Sequence, residues 1–163
     1  MNIYLIGMMG TGKSMIGKLL TEKIDYPFVD LDEKIEKSAG KSITNIFEND
    51  GEENFRKLES EQLRFYSNSI IACGGGVVLT QKNKSYIKKN GTTILLTAAM
   101  EELSHRLKDS NSRPLFSDEK SENTLKKIWI ERKMDYLDTA DHIIETDHKT
   151  YEEITDEIIR HLN

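Results

Sequence analysis

Apolar positions along the chain change period repeatedly, and each change marks an element. The run Ile3-Tyr4-Leu5-Ile6 is continuously apolar, which predicts a strand over about 2–6 buried on both faces. Met15, Ile16, Leu19, Leu20 and Ile24 then recur at helical spacing and predict a helix over about 13–23. Tyr26-Pro27 breaks the chain before a short strand at Phe28-Val29-Asp30, and a helix over about 32–38 is stopped by Gly40. Ser42 caps a short helix bearing Ile43, Ile46 and Phe47, and Gly51 introduces a longer one over 52–66. A strand at 69–73 runs into Gly74-Gly75-Gly76. A polar helix after Thr80 ends at Asn90-Gly91, a buried strand follows at 93–97, and a helix covers 100–108. The stretch 109–119 is polar, contains Pro114 and has no apolar period, so it is expected to be a mobile surface loop. A helix over about 121–137 precedes the last strand at 142–145. Thr150 and Glu153 form a capping box for a final helix with Tyr151, Ile154, Ile158, Ile159 and Leu162 on one face. Alternating strands and helices predict a parallel sheet covered on both sides.

Bulk properties narrow the class. With 163 residues, 37% of them hydrophobic and 31% charged, the chain is expected to be one soluble domain over 1–163. Met1-Asn2 gives no basic segment ahead of the first apolar stretch, and no apolar run is long enough to cross a bilayer, so a cytoplasmic protein with no membrane partner is expected. Cys73 is the one cysteine, which excludes an internal disulfide framework and a cysteine-based metal site. A net charge of −5 argues against a nucleic-acid surface, so any polyanion must be met by individually placed cations. A monomer is expected.

Those cations have a place. Gly7-Met8-Met9-Gly10-Thr11-Gly12-Lys13-Ser14 fills every fixed position of the phosphate-binding loop G-x-x-x-x-G-K-[ST]. The glycines let backbone N–H groups turn inward on a polyphosphate, and the helix starting at Lys13 aims its positive dipole end at the same point. Lys13 adds a full charge and Ser14 offers a hydroxyl to Mg²⁺. Strand, loop and helix occur in the order this mechanism requires, against the plainer reading of a Gly-rich turn that carries a lysine. Gly10, Thr11, Gly12, Lys13, Ser14 and Met15 are the candidate nucleotide contacts. The expected fold is a three-layer α/β/α sandwich with a five-stranded parallel sheet, of the P-loop NTPase and nucleoside monophosphate kinase-like kind.

Four further clusters bear on what receives the phosphate. Asp30 and Asp32 lie at the end of the second strand, where an open α/β sheet places its ligand crevice, against the plainer reading that Asp32 merely caps the next helix. Arg56 and Glu59, at i and i+3 in Gly51-Glu52-Glu53-Asn54-Phe55-Arg56-Lys57-Leu58-Glu59, share a helical face, so the acid can orient the guanidinium; alone they would read as a solvated pair. Gly74-Gly75-Gly76 lets backbone N–H groups approach a small ligand. Arg113-Pro114-Leu115 in the loop, with Arg132 and Tyr136 on the next helix, gives two more cations.

With these elements in this order, the chain resembles the shikimate kinases from the phosphate loop to about Ala140. That family's pattern is a phosphate loop, D-x-D, G-E-x-x-F-R-x-x-E, G-G-G, R-P-L and R-x-x-x-Y-x-x-x-A, and Arg132, Tyr136 and Ala140 keep the last spacing. The resemblance implies transfer of the ATP γ-phosphoryl group to the 3-hydroxyl of shikimate on the way to chorismate and the aromatic amino acids. It implies acceptor-binding helices over about 31–67 and a lid at about 109–119 that closes on ligands and delivers Arg113. It assigns Arg56 and Arg132 to the shikimate carboxylate, Asp32 to the acceptor hydroxyl as base, Gly75 to a backbone contact, and Phe47 and Phe55 to the ring, with Glu59 behind Arg56. It makes Ser14 a direct and Asp30 a water-mediated Mg²⁺ ligand, sets Lys13 and Arg113 on the transferring phosphoryl group, and puts Arg106 on adenine.

The loop Thr146-Asp147-His148-Lys149-Thr150 lacks the Arg-rich, Pro-containing form common in that family, and no contact is assigned to it. Cys73 reads as a small buried residue and the four histidines as structural or exposed. Gluconate kinase, a nucleoside monophosphate kinase, or a catalytically inactive binding domain of the same fold are the rival readings.

Overall fold

The computed structural model describes residues 1–108 and 121–162. The expected lid at 109–119, with Arg113, Pro114, Leu115 and Phe116, lies outside the described residues. In chain order the elements are β1 (Asn2–Ile6), α1 (Lys13–Lys23), β2 (Phe28–Asp30), α2 (Leu31–Ala39), α3 (Ile43–Gln62), β3 (Ile70–Ala72), a 3₁₀ turn (Val77–Leu79), α4 (Gln81–Asn90), β4 (Gly91–Thr97), α5 (Met100–Lys108), α6 (Ser121–Thr139), β5 (His142–Glu145) and α7 (Tyr151–Leu162).

All five strands are parallel, in the order β2-β3-β1-β4-β5. The continuous apolar run of β1 is explained by its central place. Ile3 and Leu5 pack with Ile16 and Leu20 of α1 and Ile154 and Ile158 of α7. Tyr4 and Ile6 face the opposite layer, with Leu31, Ile46, Ile87, Leu103 and Tyr136. Each aliphatic side chain wholly buried in this way favours the fold by about 1.5–3 kcal/mol.

The chain leaves β1 toward β2 and later passes to β4 on the other side, so the crevice opens at the carboxyl ends of the strands beside β1. The phosphate loop follows β1, Asp30 ends β2 and the triple glycine follows β3.

The two helices expected on either side of Gly51 are both present and meet within α3 at a kink, where Gly51 leaves helical geometry with φ 81° and ψ 165°. Other boundaries differ from the sequence expectation. α3 ends at Gln62 and not at 66: the N–H groups of Arg64 and Phe65 donate to Glu61 O and Gln62 O, tightening the last turn, and the Tyr66 carbonyl accepts from Asn2 Nδ2 at 2.9 Å. β4 starts at Gly91, where a Cβ would lie 2.2 Å from the Asn2 carbonyl oxygen. Met15 is exposed and takes no part in the apolar face of α1 that its spacing suggested. The Thr150–Glu153 capping box is present, with Glu153 N donating to Thr150 Oγ1 at 3.2 Å and Thr150 N to Glu153 Oε2 at 2.7 Å.

Candidate active site

Gly7, Gly10 and Gly12 of the phosphate loop have φ of 139°, 83° and 88°, values that bulkier residues rarely adopt. Lys13 Nζ donates to Gly7 O and Met8 O, each at 2.8 Å, and so ties the two ends of the loop together. The buried hydroxyl of Thr11 donates inward to Met8 O at 2.8 Å and shapes the loop, so its expected contact with a nucleotide falls to its backbone.

Ser14 Oγ donates to Asp30 Oδ2 at 2.6 Å. The other oxygen, Asp30 Oδ1, accepts from Asp32 N at 3.1 Å and Glu33 N at 3.3 Å, so Asp30 caps α2. Asp32 is therefore a first-turn residue of α2 and not its cap. The hydroxyl of Ser14 and the carboxylate of Asp30 form a hard-oxygen pair beside the phosphate loop, the donor chemistry that suits Mg²⁺.

These residues line a cavity of about 620 Å³. The strand order divides its wall. On the β2–β3 side stand Asp32, Phe47, Phe55, Arg56 and Glu59, with the triple glycine and, from α6, Arg132; on the side toward α5 and α7 stand Arg106 and Tyr151. Every described residue proposed from sequence for the site lines this cavity except Thr11.

The triple glycine makes room for charged side chains as well as for a ligand. A Cβ on Gly74 would lie 2.8 Å from Asp32 Oδ1 and 3.2 Å from Glu59 Oε1, and one on Gly76 would lie 2.3 Å from Arg56 Nη2. Tyr136 is buried and donates its hydroxyl to Gly75 O, fixing the turn. Burial pushes that phenol up to about 12 against the opposing charge of Arg132, so it stays a donor.

Arg56 Nη1 donates to Glu59 Oε2 at 3.0 Å, as the i, i+3 spacing suggested. Its Nε and Nη2 also donate to Glu52 Oε1, at 3.3 and 3.2 Å. The guanidinium carbon lies 5.1 Å from the Phe55 ring centroid, and the Phe55 and Phe47 rings are 4.7 Å apart.

Glu59 is fully buried, and its Oε1 has no hydrogen-bond partner among the described residues. Burial raises its carboxyl to about 7, Arg56 opposes the shift and Asp32 adds to it. Because the folded state binds this proton more tightly than the unfolded chain, the group favours folding below the ordinary carboxylate range, and that contribution is lost as pH rises through about 7. Thermal melts of wild type and Glu59→Gln between pH 5.5 and 8.5 should therefore converge on the acid side, with wild type losing ground toward pH 8.5. A constant difference across that range would refute the assignment.

Arg106 is held on three sides: Nε donates to Glu102 Oε1 at 2.8 Å, and Nη1 to Gly10 O and Thr146 Oγ1, each at 3.3 Å. It thereby joins α5 and the end of β5 to the phosphate loop. Tyr151 closes the same side, its Cε1 3.0 Å from where a Cβ on Gly12 would stand. Cys73 is buried and its thiol is pushed far up by that burial and by Glu59, which leaves it inert as a nucleophile. Among the described residues no cluster of three or more His, Cys, Asp or Glu side chains could hold a metal.

Glu52 and Tyr151 also line the cavity, although the motif that contains Glu52 assigns it no role and Tyr151 belongs to no motif. The i, i+4 spacing of Glu52 and Arg56 is the signal for the first. The position of Tyr151 just after the last strand, at the crevice end of the sheet, is the signal for the second. The apolar period of α7 instead suggested that its ring was core.

The model of the family described as shikimate kinase matches residues 9–163. The shikimate kinase of Thermodesulfovibrio yellowstonii is 40% identical over 162 residues, covering 98% of this chain and 93% of that one. The solved shikimate kinase from Acinetobacter baumannii in complex with shikimate superposes with a TM-score of 0.92 at 31% identity, covering 99% of this chain and 92% of that one. A gluconokinase from Sinorhizobium meliloti reaches a TM-score of 0.57 at 18% identity over 99% of this chain and 90% of its own, a likeness of fold alone. The family model and these relatives match across nearly the whole chain, which belongs to the shikimate kinase family.

Proposed function

We propose that the protein transfers the γ-phosphoryl group of ATP to the 3-hydroxyl of shikimate, giving shikimate 3-phosphate and ADP in the route to chorismate and the aromatic amino acids. The observation that carries this reading is the meeting, in one cavity beside the phosphate loop, of Asp32 with the Arg56–Glu59 pair across glycines whose missing side chains admit them.

In this reading Arg56 and Arg132 take the acceptor carboxylate, Phe47 and Phe55 flank the ring, and the Gly75 amide fixes a hydroxyl. Asp32 accepts the proton of the attacking hydroxyl as the oxygen closes on the γ-phosphorus and the bond to the β-phosphate oxygen breaks. Gly10 to Met15 hold the donor phosphates, and Lys13 offsets the charge on the transferring group. Ser14 and Asp30 would hold Mg²⁺, which when bound neutralises phosphate oxygens. Arg106 and Tyr151 form the wall against which the nucleoside rests. Arg113 takes its place at the phosphates, and 109–119 its role as lid, from the sequence motif. The reading also takes 1–163 as one domain, monomeric and cytoplasmic, without nucleic-acid or membrane partners. Among the described residues no helix is long and apolar enough to cross a membrane.

Purified protein supplied with MgATP should release ADP rapidly only when shikimate is added. Equal release without an acceptor, or faster release with gluconate, AMP or quinate, would overturn the reading.

A further inference from the structure

The contacts of Arg56 raise a difficulty for substrate binding. A guanidinium offers a carboxylate two planar forks, one along its Nε edge and one across its two terminal nitrogens. Glu59 holds Nη1 at 3.0 Å, and the Gly76 backbone closes on the terminal end, where a Cβ would meet Nη2 at 2.3 Å and Nη1 at 2.4 Å. The edge left for an incoming carboxylate is Nε–Nη2, and Glu52 Oε1 sits on it at 3.3 and 3.2 Å.

The two acids differ in how firmly they are held. Glu59 is fully buried, whereas the Glu52 side chain is 62% exposed and reaches Arg56 through a single oxygen. These contacts are longer than the roughly 2.7–2.9 Å of a strong charge-assisted bond, and an exposed pair of this kind contributes little. Glu52 can therefore turn out into water, and Glu59 cannot. Glu52 also follows the kink at Gly51 and borders the same cavity.

We propose that Glu52 is a resident carboxylate that occupies the acceptor-carboxylate seat on Arg56 and is displaced by the substrate, so that it sets acceptor affinity by competition. The inference rests on the reading of Arg56 as the acceptor-carboxylate site. It reverses the expectation for a residue that merely orients Arg56, whose loss would weaken binding.

The test measures the equilibrium dissociation constant of shikimate by calorimetry for wild type, Glu52→Gln and Glu53→Gln. The last removes the same charge from the neighbouring exposed position and controls for general electrostatics. Glu52→Gln should bind roughly two- to five-fold more tightly than wild type, the range expected for removing an exposed ion pair, and more tightly than Glu53→Gln. With the neutral carboxamide of shikimate the gain should vanish, because that ligand does not compete for the fork. Unchanged or weaker binding by Glu52→Gln, a gain matched by Glu53→Gln, or the same gain with the carboxamide would each overturn the inference while leaving the functional reading in place. Failure of wild type to bind shikimate would overturn both.

Discussion

Replacing Asp32 with Asn is expected to lower kcat by roughly 10²–10⁴-fold, the range for losing a positioned general base. The amide has the shape of the carboxylate and fits the same space against Gly74, where Asp32 Oδ1 lies 2.8 Å from the place a Cβ would take. It cannot accept the hydroxyl proton. The helix cap is carried by Asp30, whose Oδ1 accepts from Asp32 N and Glu33 N, so the substitution leaves α2 capped and thermal stability close to that of wild type. Steady-state rates at saturating MgATP and shikimate, with melts of the same samples, separate chemistry from folding. A kcat within a few-fold of wild type would remove Asp32 from the reaction.

Arg56→Lys is expected to raise the KM for shikimate steeply. Lysine keeps the charge but presents it as a point on a flexible stem, and so loses the fork that meets Glu59 on one nitrogen and a carboxylate on another. Disturbing a desolvated charge pair costs about 2–5 kcal/mol, which is roughly 30-fold or more in affinity. Glu59, fully buried with Oε1 unpartnered among the described residues, would also lose the hydrogen bond that its Oε2 accepts from Arg56 Nη1. The KM for ATP should change far less, since Arg56 stands on the β2–β3 side of the cavity. A shikimate KM within two-fold of wild type would mean that the acceptor carboxylate binds elsewhere.

The elements that the sequence made legible are those encoded locally. A parallel strand buried on both faces must be apolar throughout, and Ile3 to Ile6 are. A phosphate loop needs glycine where φ is positive, and Gly7, Gly10 and Gly12 stand there. The Arg56–Glu59 pair follows from helical spacing alone.

What stayed hidden depends on how elements meet. Asp30 and Asp32 are equivalent capping candidates in sequence, and only the way β2 turns into α2 chooses Asp30. Glycines after a strand suggest a bare backbone, but it takes the approach of α2 and α3 to show that Gly74 and Gly76 admit Asp32, Glu59 and Arg56. Glu59 looks like a surface acid until α3 packs down and buries it. Tyr151 belongs to the apolar period of α7, yet its place beside Gly12 puts it in the cavity wall.

Whether shikimate is the acceptor is decided by product identity. Wild-type protein is given limiting MgATP with equal concentrations of shikimate, gluconate and AMP in one tube, and the phosphorus-containing products are followed by ³¹P NMR. The γ-phosphate should appear as the 3-phosphate monoester of shikimate, with stoichiometric ADP and little inorganic phosphate. Phosphogluconate, ADP formed from AMP, or free phosphate as the main product would contradict shikimate as the acceptor.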